Sequence, residues 1–89
     1  MQEGITNTRS FTPGEIAVGI QFNPSGDEKV NRIKVLCAEL FDIVDQSVPA
    51  EDGTIPTARK RKMRDAMRDA ALNNIITAQM WAVKVITLK

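Results

Sequence analysis

Ile75-Ile76-Thr77-Ala78-Gln79-Met80-Trp81-Ala82-Val83-Lys84-Val85-Ile86-Thr87-Leu88 is the stretch that decides the fold. Its apolar residues wrap most of a helical circumference, and a helix apolar all round is a buried helix. Upstream, the same helix is charged, with Met63, Ala66, Met67 and Ala70 as a narrow inner stripe. The pattern predicts one long helix over 57–88. Ahead of it, Pro49, Asp52-Gly53 and Pro56 mark 47–56 as a loop. Before that loop, Val30, Ile33, Leu36, Cys37, Leu40, Phe41 and Val44 recur at threes and fours, predicting an amphipathic helix within 25–46. Two such helices make an antiparallel two-helix hairpin, and the fold class is all-α. One neighbouring helix covers only one face of the second helix. Leaving the rest in water forfeits about 1.5–3 kcal/mol per large side chain. The sequence therefore predicts a homo-oligomer.

Residues 1–21 read as an N-terminal arm. Within it, Thr12-Pro13-Gly14-Glu15 fits a capping box, with Pro at the first helical position and Glu three residues after the Thr. Against a helix, Ile16, Val18, Ile20 and Phe22 alternate with Ala17, Gly19 and Gln21, which is a strand period. The reading is a short helical turn followed by an extended segment. Ser25 and Glu28 form a second capping box, in which the Ser25 hydroxyl accepts from the Glu28 amide. Pro24 keeps Asn23 extended.

A chain of 89 residues is one domain, and at this size it buries only about 60% of its extended surface. Cys37 is the only cysteine, so no intrachain disulfide helps. Its apolar setting reads as a small buried hydrophobe. Histidine is absent, which removes the commonest metal ligand and the side chain best suited to acid–base work near neutral pH. There is no zinc motif, P-loop or nucleophile elbow. Catalysis, metals and cofactors are not expected. The apolar tail is too short to span a bilayer, and no signal-peptide core precedes the fold. A soluble cytoplasmic protein is the expectation.

The net charge is +1, but the cations are clustered. Arg59, Lys60, Arg61, Lys62, Arg64 and Arg68 hold half of the twelve basic residues. Such a run attracts phosphate. It is equally a solvated helix face, because consecutive helical residues point all round the axis. A helical nucleic-acid-binding or interaction module using residues 59–64 is the alternative reading, although the near-neutral balance argues against DNA.

Phe22-Asn23-Pro24-Ser25-Gly26, followed by Val30-x-x-Ile33-Lys34 and a second helix ending in Met80-Trp81-Ala82-Val83-Lys84, resembles the phage sponge proteins that defeat CBASS, the antiphage defence signalling through cyclic oligonucleotides. The likeness is to the anti-CBASS protein 2 family and to the related hairpin domain of sponges that defeat Thoeris. It covers roughly residues 20–46 and 64–88. The resemblance implies a hexamer, a trimer of dimers, acting in the host cell cytoplasm. It implies sequestration of cyclic dinucleotides such as cGAMP, and of cyclic trinucleotides, without hydrolysis. Dinucleotides would sit between paired protomers, and trinucleotides where three protomers meet.

A cyclic dinucleotide offers two base faces and two phosphates. On the resemblance, Phe22 stacks on a purine and Lys34 pairs with a phosphate. Asn23, Pro24, Ser25 and Gly26 shape the loop, and the Gly26 and Asp27 amides face a phosphate at the helix start. On the residues alone, Phe22 is also a hydrophobic staple and Lys34 a solvated surface lysine. Arg68 matches an arginine of the family's second helix, where a guanidinium grips phosphate oxygens of a cyclic trinucleotide. It is equally a surface residue. Trp81 reads as core or interface. Asn73 and Ile76 stand where the family often has Thr and Glu, which leaves no contact to assign to those side chains.

Overall fold

The computed structural model describes residues 10–47 and 57–88. They form three helices: α1 (Pro13–Val18), α2 (Glu28–Gln46) and α3 (Ala58–Thr87). The described residues contain no strand. The loop expected at 47–56 and the arm before residue 10 lie outside the described residues, except for Ser47 itself.

α1 forms where the capping box predicted it. The Thr12 hydroxyl accepts from the Glu15 amide at 3.1 Å. The Glu15 carboxylate accepts from the Thr12 amide at 2.9 Å. Gly19 ends the helix in the left-handed region, at φ 62°. The Ile20 amide reaches back to the Glu15 carbonyl and the Gly19 amide to the Ile16 carbonyl, closing a Schellman motif. The alternation from Ile16 to Phe22 thus makes no strand; a turn over Gly19–Gln21 replaces the expected extended segment.

α2 starts later than Ser25. Asp27 is its N-cap, accepting from the Lys29 amide at 2.7 Å. The Ser25 hydroxyl instead accepts from the Asp27 amide at 3.2 Å. Gly26 explains the shift, because its φ of 67° takes the chain out of helical geometry just before Asp27.

α1 and α3 both pack on α2, around Val18, Val30, Ala38, Phe41 and Ile75. Gly14 lets α1 approach closely: a Cβ there would overlap the Ala38 carbonyl oxygen and lie 2.8 Å from Asp42 Oδ1. The Gly14 amide donates to that same oxygen at 2.7 Å.

α3 differs from expectation. Met63, Ala66, Met67 and Ala70 are exposed, so they are not the inner stripe. The residues turned towards α2 are Arg64, Arg68, Leu72, Ile75, Gln79, Val83 and Ile86, all buried or half-buried. They recur at threes and fours, and the arginines contribute their aliphatic stems. The outer side carries Met67, Met80, Trp81 (64% exposed), Val85 and Leu88 in the open. The 30-residue α3 is about 45 Å long at 1.5 Å per residue. With Arg68 bonded to Ser47, this rise places the C-terminal end of α3 near the start of α2. The chain is only 16 Å thick in its thinnest direction. A helix with side chains is about 10–12 Å across, so this is essentially one layer, and none of the described residues covers its outer faces.

Candidate nucleotide-binding loop

The segment between α1 and α2 brings most of the expected site residues together. The Phe22 amide donates to the Gly19 carbonyl at 2.8 Å, closing a tight turn that presents the Phe22 ring. That ring is 71% exposed, so it is not a staple against the helix. Beyond it, the Asn23 side-chain amide donates to the Asp27 carbonyl at 3.1 Å. The Ser25 hydroxyl donates to Asn23 Oδ1 at 2.7 Å. The Gly26 amide donates to the Asn23 carbonyl at 3.1 Å. These bonds make residues 23–27 a rigid small loop.

They also occupy the Gly26 and Asp27 amides. The expectation that both face a phosphate does not hold for this chain: the Asn23 carbonyl and the Ser25 hydroxyl already take them. The Asp27 carboxylate sits at the α2 start, where an anion favours the helix dipole.

Lys34 is not a solvated surface lysine. It is 4% exposed. Its Nζ donates to the Gly19 carbonyl at 3.0 Å and to the Phe22 carbonyl. The same Nζ lies 5.4 Å from the Phe22 ring centroid, within cation–π range. Burial holds its pKa below the ordinary lysine value, because desolvation disfavours the charged form. Hydrogen-bond periodicity cannot reveal this arrangement, since both carbonyls belong to a turn more than ten positions upstream.

Arg68 stands apart from the loop, at the other end of α2. Its Nη2 donates to the Ser47 carbonyl at 2.6 Å, and Nη1 lies 3.4 Å from Asp65 Oδ1. It thereby satisfies a carbonyl at the α2 C-terminus, where a cation also favours the dipole. Trp81 is exposed, with Lys84 Nζ 6.0 Å from its ring. Asn73 is exposed and Ile76 half-buried. Cys37 is half-buried rather than core, and burial raises its thiol pKa.

Among the described residues no group of three His, Cys, Asp or Glu side chains could hold a metal. No helix among them is long and apolar enough to cross a membrane. Gly14, Gly19 and Asp42 matter to the loop and were not read as such; only Gly19, a glycine just past a helix pattern, left a usable signal.

Comparison with curated proteins and with solved structures gives no match. The family model described as the Acb2/Tad1 hairpin domain matches residues 13–87, which takes in all three helices. That family consists of sponge-type proteins for cyclic-nucleotide signals, as the Phe22 and Met80 segments imply. The chain therefore belongs to the Acb2/Tad1 hairpin family.

Proposed function

We propose that this protein is a phage immune-evasion sponge that binds cyclic di- and trinucleotides intact and so starves CBASS effectors of their messenger. The observation that carries the reading is the exposed Phe22 ring, held over the buried Lys34 ammonium by a closed turn, in a chain of this family. An exposed aromatic costs apolar surface unless a partner stacks on it. Stacking on a base is worth about 1–3 kcal/mol.

The cyclic dinucleotide site is Phe22, Asn23, Pro24, Ser25 and Gly26, with Lys34 behind them. Arg68 serves the cyclic trinucleotide site; its reach to Ser47 occupies one nitrogen of a guanidinium that has five N–H donors. The assembly is a homohexamer, a trimer of dimers, in the host cytoplasm. Exposed Met80, Trp81, Val85 and Leu88 on α3, with Leu36, Leu40 and Ile43 on α2, supply the apolar surface that such contacts bury. The mechanism is mass action: a nanomolar constant, about −12 kcal/mol, lowers free messenger below what an effector needs.

Titration of the protein with cyclic dinucleotides, followed by proteolysis and recovery of the ligand, tests this reading. Binding with intact recovery is expected. Linear products would mean an enzyme, and no binding would remove the sponge.

A second reading keeps one observation in its favour. Arg59, Lys60, Arg61 and Lys62 are all exposed, and the first turn of α3 contains no acidic residue. Duplex binding that falls steeply with salt would support a nucleic-acid module.

A further inference from the structure

We infer that Arg64 and Arg68 together form a phosphate seat, and that the Asp65 carboxylate occupies it until a phosphate displaces it. The inference deepens the cyclic trinucleotide reading of Arg68 and rests on that reading for the natural ligand. The seat itself stands on the geometry of α3.

Arg64 and Arg68 are four residues apart on α3, so their side chains are neighbours on the face turned towards α2. Like charges at that spacing repel. Among the described residues one carboxylate serves both. Asp65 Oδ1 lies 3.4 Å from Arg68 Nη1 and 3.9 Å from Arg64 Nε. A well-formed guanidinium–carboxylate bond is about 2.7–2.9 Å, so Asp65 holds neither arginine tightly. Asp65 is also the most accessible of the three, with its side chain 61% exposed against 33% for Arg64 and 24% for Arg68. It turns out into water at little cost, because exposed ion pairs contribute little.

Arg64 supplies a second observation. Its Nε is buried and has no hydrogen-bond partner among the described residues. Asp65 is too far away to accept from it. A buried N–H left unpaired carries the full cost of its desolvation, and native structures rarely leave such a group without a role. No bond holds this Nε in place. Its guanidinium therefore turns towards an incoming oxygen without breaking a bond at Nε, and Nε gains an acceptor. Arg68 contributes differently. Its Nη2 stays on the Ser47 carbonyl at 2.6 Å, which fixes the guanidinium at the end of α2 while Nη1 exchanges Asp65 for the ligand. A phosphate has oxygens for both guanidiniums, where Asp65 shares a single oxygen between them. Asp65 is thus an internal competitor, and it lowers the affinity of the seat.

Inorganic pyrophosphate, at constant ionic strength, probes the seat without reference to any nucleotide. NMR follows the Nε–Hε signals of both arginines, assigned by their loss in Arg64→Lys and Arg68→Lys. Both signals are expected to move with one saturating constant. Asp65→Asn keeps the shape and removes the charge, and it is expected to tighten binding about two- to fivefold, the worth of an exposed ion pair. Among the described residues neither arginine pairs with Asp69, so Asp69→Asn removes an equal charge nearby and is expected to give a clearly smaller gain. Arg64→Lys keeps the charge and loses the fork, and it is expected to weaken binding about tenfold. An Arg64 signal that stays still, shifts that never saturate, or equal gains from Asp65→Asn and Asp69→Asn overturn the proposal.

Calorimetry with cyclic triadenylate then reads what the seat serves. Asp65→Asn is expected to bind it more tightly than wild type and Arg64→Lys more weakly. Triadenylate binding that neither variant changes overturns the proposal. Pyrophosphate binding with the expected order of variants, but no binding of triadenylate, upholds the seat and removes the trinucleotide reading for that ligand.

Discussion

Gly14→Ala tests the docking of α1 on α2, on which the Phe22 loop depends. The added Cβ would overlap the Ala38 carbonyl oxygen and lie 2.8 Å from Asp42 Oδ1. The first obstacle is backbone in mid-helix and cannot rotate away, so α1 must lift. Lifting stretches the 2.7 Å bond from the Gly14 amide to Asp42, and a hydrogen bond to a charged group is worth about 1.5–3 kcal/mol. Overpacking adds about 1–3 kcal/mol. Alanine's better helix propensity returns up to about 1 kcal/mol. The net expectation is a loss of roughly 2–4 kcal/mol in the docking of α1. Thermal unfolding by circular dichroism, together with hydrogen exchange at the α1 amides, measures it. The amides of Ala17 and Val18 are expected to exchange far faster, and ligand affinity to fall because the turn at Gly19 loses its support. Asp42→Asn, which keeps the shape and lowers the charge, is expected to lose about 1 kcal/mol. A Gly14→Ala protein with wild-type melting and wild-type protection of α1 would refute the reasoning.

Four further outcomes follow from the same geometry. Phe22→Ala is expected to weaken cyclic dinucleotide binding by about 1–3 kcal/mol with the melting temperature almost unchanged, since the ring is mostly exposed; calorimetry and a thermal melt check both halves. Burial lowers the Lys34 pKa, so in the window below the ordinary lysine value the unfolded chain holds the extra proton and native stability rises with pH. Denaturant melts at pH 8 and about pH 10.4 are expected to show wild type gaining on Lys34→Met, and the opposite slope would mean the carbonyl bonds outweigh desolvation. Arg68→Gln is expected to lose about 0.5–1.5 kcal/mol of stability through Ser47 and to abolish cyclic trinucleotide binding only. Trp81→Glu is expected to reduce the mass seen by sedimentation equilibrium to that of the 9.8 kDa protomer, with wild type far heavier.

Local signals were legible and long-range ones were not. The Thr12–Glu15 box is an i, i+3 pattern of residues that do bond each other, so the sequence alone carried it. Ser25 and Asp27 are both good caps with similar spacing, and the deciding fact, the positive φ of Gly26, is a backbone property. The inner stripe of α3 was misread because arginines are counted as outward, whereas Arg64 and Arg68 lay their stems against the hairpin. Met63 and Met67 were counted inward and face out. Phe22 was legible as an aromatic in a loop. Burial of Lys34 was not, because its partners are backbone carbonyls of a turn that exists only once α1 has docked through Gly14.

The central claim is that the Phe22 loop holds a cyclic nucleotide without altering it. Native mass spectrometry of the wild-type protein mixed with cyclic di- and trinucleotides addresses this most directly. The account predicts an oligomer carrying added ligand mass, with the ligand recovered unchanged after digestion of the protein. An unliganded protein with every cyclic di- and trinucleotide, or recovery of linear fragments, would contradict it.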